Sequence, residues 1–211
     1  CVGRTQDAVS MFEAARIADP LSGIVSAYLQ MTYFFAGREE DSRAEYERTI
    51  DLPGSREIQE HTAFFRAWNL GDKARTRAQF RRYLDSQGVP TPVLAQLLDV
   101  LERPEAARAL LHEALDDPAN HDPIRTLFIG WHGALYGDDE LAIAASRRSL
   151  IDEFWLSGKF VLWWPFMRSA RRKQAFRQLA RDLGLYDYWR ASGNWGDFAQ
   201  PVGDDDFEFI R

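Results

Sequence analysis

Cysteine is almost absent from this sequence: of its 211 residues only Cys1 carries a thiol. A single thiol excludes an internal disulfide framework and a cysteine-based zinc site, and it fits a reducing compartment. Long apolar runs are missing as well. The most apolar stretch, Phe160 to Met167 (FVLWWPFM), follows Lys159 and contains Pro165, and it is far short of the ~20 residues of a spanning helix. Nothing reads as a secretory leader. Excess positive charge is also lacking, since 32 acidic side chains against 26 basic ones leave a net charge of −6, and no global field draws nucleic acid. The expectations are no membrane span in this region, no nucleic acid bound through it and a cytoplasmic setting. A periplasmic one applies if the full-length protein is membrane-anchored.

Motifs of chemistry are equally scarce. The four histidines, His61, His112, His121 and His132, show no i, i+4 pairing and no H-E-x-x-H pattern, so metal ligation is not expected. No G-x-S-x-G elbow, G-x-x-x-x-G-K-[ST] loop or G-x-G-x-x-G turn occurs, which leaves no serine-nucleophile or phosphate-cradle signature. Asp116-Asp117 and Asp204-Asp205-Asp206 lack calcium-loop spacing and read as solvated loops or caps. No catalytic residue, metal or cofactor is therefore assigned. The one basic run, Arg168, Arg171, Arg172, Lys173, Arg177 and Arg181, shares a stretch with Phe176, Leu179, Ala180 and Leu183. It reads as the solvated outer side of one amphipathic helix.

What the sequence does contain is a period. Gly3, Gly37 and Gly71 stand 34 residues apart; Phe12, Tyr46 and Phe80 keep the same step, as do Ala44 and Ala78. Glycine takes positive φ at low cost, so it can end one helix and permit a tight turn into the next. A small residue early in the second helix allows two backbones to approach, and an aromatic four residues on fills the space between units. Breaker-rich segments (DP, PG, GVPTP, ERP, DDPAN, GDD) separate the helices. No stretch alternates apolar and polar residues long enough to argue for a strand, so strands are not expected.

The spacing divides the chain into successive units. Ala8, Phe12, Ala15 and Pro20 mark the second helix of a first unit whose first helix is missing. Since Cys1-Val2-Gly3 also has no initiator Met, the chain reads as a piece of a longer protein. A second unit runs from Ser22 to Leu52 with Ser42, Tyr46 and Thr49 in the packing slots, and a third from Ser55 to Leu84 with Thr76, Phe80 and Tyr83. The fourth, Pro92 to Leu115, places Ala107, Leu111 and Ala114 there, and the fifth, His121 to Ile151, places Ala142, Ser146 and Ser149. A degenerate sixth pairs a helix over 154–167, ended or kinked at Pro165, with one over 168–183 closed by Gly184.

The 34-residue step and the Leu29-Gln30…Tyr33 segment resemble the tetratricopeptide repeat, whose L-G-x2-Y pattern here has Gln in place of Gly. The resemblance implies an all-α fold: a right-handed α–α superhelix, a solenoid of about five to six helix pairs, with an irregular C-terminal cap. The repeat array would occupy residues 1–184 and an aromatic-rich cap residues 185–211, with Tyr186, Trp189, Trp195, Phe198 and Phe207 covering the last apolar face. The tail, LGLYDYWR followed by SGNWGDF and PVGDDDF, is similar to the end of bacterial proteins in which such repeats follow a winged-helix DNA-binding domain or a class III adenylate cyclase domain. The resemblance thus implies a non-catalytic interaction or sensor scaffold of a larger bacterial regulatory protein, or the regulatory region of a multidomain enzyme such as a nucleotide cyclase. In either case an upstream output domain of the same polypeptide is expected, and its sequence would tell the two apart.

First helices of stacked units line a concave side. Projection of the helical faces places Phe34, Phe35, His61, Phe65, Trp68, Asn69, Trp131 and Leu135 along it. Aromatic side chains give rigid contact area to a peptide, so a protein or peptide partner is expected there.

Overall fold

The computed structural model of the chain describes residues 2–86 and 92–210. Cys1 and all but the last residue of the GVPTP segment (88–92) lie outside the described residues. The chain runs through α1 (Thr5–Ala18), α2 (Gly23–Phe35), α3 (Glu39–Thr49), α4 (Arg56–Asn69), α5 (Lys73–Ser86) and α6 (Pro92–Val100). It continues with α7 (Pro104–Asp116), α8 (Pro123–Leu135), α9 (Asp139–Arg147), α10 (Arg168–Arg171), α11 (Gln174–Asp182) and α12 (Leu185–Ser192). Two strands, β1 (Ala199–Val202) and β2 (Asp206–Phe209), pair antiparallel at the end. The class is all-α with one small hairpin.

Glycines in the left-handed region set the rhythm of the helices. Gly3, Gly37, Gly71 and Gly137 have φ of 85°, 74°, 71° and 73°, and each stands two residues before the start of α1, α3, α5 or α9. The joints close alike. Gly37 N–H donates to Phe34 O at 3.1 Å and Arg38 N–H to Tyr33 O at 2.8 Å. Gly137 N–H and Asp138 N–H repeat this with Ala134 O and Gly133 O at 3.1 and 3.0 Å, and Gly71 N–H donates to Trp68 O at 2.9 Å. Such glycine-ended caps satisfy the last carbonyls of one helix while redirecting the chain into the next.

Contacts divide the chain into two compact units: Thr5–Glu102, and Arg103–Arg211 together with Cys1–Arg4. In the first unit α2 packs on α1, α3 and α4, and α5 packs on α4 and α6. Its core holds Leu29, Phe34, Phe64, Phe65, Phe80, Tyr83, Leu94 and Leu97. Ser42, Tyr46 and Thr49, then Thr76, Phe80 and Tyr83, are all buried, as their spacing demands. Ala8, Phe12 and Ala15 are only half-buried, and Met11 and Ile17 of the same helix face solvent.

The second unit packs α7 on α8 and α8 on α9. Here too the expected slots are filled from within: Ala107, Leu111 and Ala114, then Ala142, Ser146 and Ser149, are buried. The α8 and α9 backbones approach so closely that a Cβ on Gly130 would lie 2.8 Å from Ala145 Cβ and 3.4 Å from Ala142 O. Below them sits an aromatic core of Trp163, Trp164, Phe176, Trp189 and Phe207. Residues 2–4 join this core: Trp189 Nε1 donates to Val2 O at 3.0 Å and Asp197 N–H to Gly3 O at 2.8 Å.

Three sequence expectations require correction. The first helix of the sixth pair is a 3-10 stretch, Leu156–Trp163, followed by a second one, Pro165–Met167; Trp164 between them is extended with ψ 146°. The second helix is not continuous over 168–183 but breaks between α10 and α11, where Arg172 and Lys173 N–H donate back three residues to Ser169 O and Ala170 O. Strands do occur. Ala199 faces Phe209 and Val202 faces Asp206, with Gly203 at φ 57° in the turn. Four residues per strand are too few to display alternation, and Pro201 masks the first one.

Candidate functional site

The residues projected onto a concave side fall into two groups. Phe34, His61, Phe65 and Trp131 are buried, whereas Phe35 and Trp68 are half-buried and Asn69 is exposed. The buried members pack between helices. His61 stacks on Tyr83 at 4.4 Å between centroids and tilts against Phe65 at the same distance. Trp131 stacks on Trp164 at 5.5 Å and meets Phe128 edge-on at 4.6 Å. Leu135 is half-buried.

Phe35 and Trp68 each sit in the last turn of a first helix, α2 and α4, close to the Gly37 and Gly71 joints. Trp68 leans edge-on against Phe64 at 6.1 Å, and Asn69 Nδ2 donates to Glu39 Oε1. Leu70, the cap residue that follows, is exposed. The first unit therefore offers a partly accessible rim of two aromatic rings and an amide, Phe35, Trp68 and Asn69, with the buried Phe64 ring behind Trp68. Amphipathic aromatic edges of this kind supply contact area at little entropic cost.

The first unit also holds a buried polar seam that periodicity does not reveal. Glu45 accepts from Arg48 at 2.6 Å and Arg16 at 3.1 Å. Burial works against its charge, yet those guanidinium bonds outweigh burial and hold the carboxyl below its ordinary range. Tyr46 OH donates to Glu60 Oε2 at 3.0 Å, and burial together with that carboxylate pushes the phenol up. Gln30 Nε2 donates to Gln59 O at 3.1 Å, and Gln59 Nε2 to Thr49 Oγ1 at 2.9 Å. Apart from the Arg48–Glu45 pair, which lies within α3, each tie joins two helices, so the seam acts as registration between them. The only sequence signal for it is polar type at positions whose helical phase faces inward.

In the second unit Arg168, Arg172 and Lys173 of the basic run are exposed and Arg177 and Arg181 half-buried, but Arg171 departs from the solvated face. Arg171 is 2% exposed, and its Nη1 donates to Leu162 O at 2.8 Å and Trp164 O at 3.0 Å. Those carbonyls end the 3-10 stretch, and the guanidinium supplies donors that an α-helix would have provided internally. Burial pulls its proton affinity down to about 9. It also covers the Phe198 ring at 4.9 Å. Arg177 and Arg181 converge on Asp206 of β2 at 2.5 and 2.7 Å, fastening the hairpin to α11.

Among the described residues no group of three or more His, Cys, Asp or Glu could hold a metal ion, and no helix is long and apolar enough to cross a membrane. Comparison with family models, with curated proteins and with solved structures finds no match.

Proposed function

We propose that this chain is a tetratricopeptide-type array, stacked as a right-handed superhelix, that works as a non-catalytic interaction or sensor scaffold within a larger bacterial regulatory protein in the cytoplasm. Its partner is a peptide or protein segment that presents apolar side chains to the rim of Phe35, Trp68 and Asn69. What carries the reading is the recurrence of one joint, a left-handed glycine two residues ahead of the second helix, at Gly37, Gly71 and Gly137. The buried small residues in the matching slots support it further, because a repeating unit that shares its apolar face with its neighbours needs them. Ionisable groups in the first unit's seam are taken up in ties between helices, which fits a scaffold better than a reactive centre.

Selection of displayed random peptides on the immobilised chain tests this. Winning sequences should carry apolar anchors, and Phe35→Ala with Trp68→Ala should weaken the best peptide about tenfold or more with unchanged far-UV circular dichroism. Equal affinity for the doubly substituted chain would rule out the rim.

A further inference from the structure

A surface cavity of about 370 Å³ opens between α11 and β2, lined by Arg172, Gln174, Arg177, Gln178, Arg181 and Asp206. Three guanidinium groups and one carboxylate give it a formal charge of +2, in a chain of net charge −6. We propose that it is a binding site for a compact multivalent oxyanion, a diphosphate-type group, gripped by Arg172, Arg177 and Arg181 and flanked by the two glutamine amides.

Arg177 and Arg181 are held in place before any ligand arrives. Arg177 Nη2 donates to Asp206 Oδ2 at 2.5 Å and to Phe207 O at 2.8 Å, and Arg181 Nη2 donates to Asp206 Oδ1 at 2.7 Å. The Arg181 guanidinium lies 4.1 Å over the Tyr186 ring and 5.3 Å over Phe207, and that of Arg177 lies 5.6 Å over Phe207. These bonds engage only Nη2 of each fork, so the Nε and Nη1 donors remain for another acceptor. Because aromatic stacking and Asp206 already fix the side chains, an incoming oxyanion bears little of the ordering cost. Asp206 therefore orients as well as neutralises, and two arginines outweigh it.

Arg172 adds the third charge. It is exposed, and its side chain makes no ion pair or hydrogen bond with any described residue. It lies just ahead of α11, whose N-terminus carries no side-chain cap. The volume lies near the small end of the ~300–1,000 Å³ spanned by ligand pockets, and every lining residue is charged or carries an amide. That suits a charged head group and not an apolar body. Planar guanidinium forks match phosphate oxygens in pairs.

Calorimetric titration of the whole chain with inorganic pyrophosphate, inorganic phosphate and ADP tests the assignment. Pyrophosphate should bind saturably and more tightly than phosphate, with affinity falling as salt is added. ADP binding as well as pyrophosphate means that the diphosphate alone is read, and tighter ADP binding means that the attached nucleoside adds contacts; both support the site. Arg172→Ala should weaken pyrophosphate about fivefold to tenfold with an unchanged melting temperature, while Arg125→Ala, which removes an exposed arginine elsewhere in the same unit, should leave binding alone. No saturable heat, or equal losses for both variants, would overturn the proposal and leave Asp206 as a staple only. Tighter Arg172-dependent binding of a single-stranded oligonucleotide would overturn the ligand class.

Discussion

His132 shows how far one buried side chain can govern acid sensitivity. It is fully enclosed in α8, with Nδ1 2.7 Å from Phe128 O, and that contact requires Nδ1 to carry the proton of a neutral ring. Burial drives its pKa down from 6.5 to about 4, only partly opposed by the backbone bond. The unfolded chain therefore binds a proton that the folded chain refuses between about pH 6.5 and pH 4. Stability contributed by the neutral ring is intact above 6.5 and is lost as pH falls. Denaturant titrations should show a loss of roughly 2 kcal/mol from pH 7.5 to pH 5, and His132→Gln should flatten that slope. At this scale the sequence was most legible in glycine and least in charge. Gly37 and Gly71 announce their positive φ through a 34-residue step, because no other residue takes that conformation without strain. Nothing in the string distinguishes Arg171, enclosed by carbonyls, from Arg172 beside it in solvent.

Among the elements, the terminal assembly of α11, α12 and the β1–β2 hairpin is held by rings more than by its short hydrogen-bond ladder. Trp189 lies at its centre, fully buried, 5.6 Å from Phe207, 6.0 Å from Trp195 and 6.2 Å from Trp163. Trp189→Ala should cost about 3–5 kcal/mol, read as a lowered denaturation midpoint of the second unit, and Trp189→Phe should recover much of that loss. The aromatic content of this region announces a packed tail, but not a hairpin. Of the four residues of β1 only Ala199 is buried, and a single inward residue leaves no period to detect. Helices α2, α4 and α8 were legible because each is long enough for its apolar stripe to recur. The 3-10 stretch over 156–163 ends in an unbroken apolar run, Phe160 to Trp163, which its sequence cannot separate from a buried α-helix. Its carbonyls are met by a side chain nine residues onward, a pairing that periodicity does not encode.

For the whole molecule, the division into Thr5–Glu102 and the remainder has a measurable counterpart. Removal of residues 1–4 takes away the acceptors for Trp189 Nε1 and Asp197 N–H and the packing of Gly3 against Trp163 and Phe198. Loss of two partly buried hydrogen bonds should lower the stability of the second unit by about 1–3 kcal/mol. Amide exchange should accelerate over residues 185–198 and stay unchanged in α2, α4 and α5; uniform acceleration would show that the two units open together.

The seat of Val2 is 187 positions away along the chain. During synthesis at about 5–20 residues per second, the first residues wait some 10–40 s before Trp189 has even been made. Until then Val2 O and Gly3 O lack the donors that Trp189 and Asp197 supply in the folded unit. Closing so large a loop makes this contact a late step in the folding of the second unit.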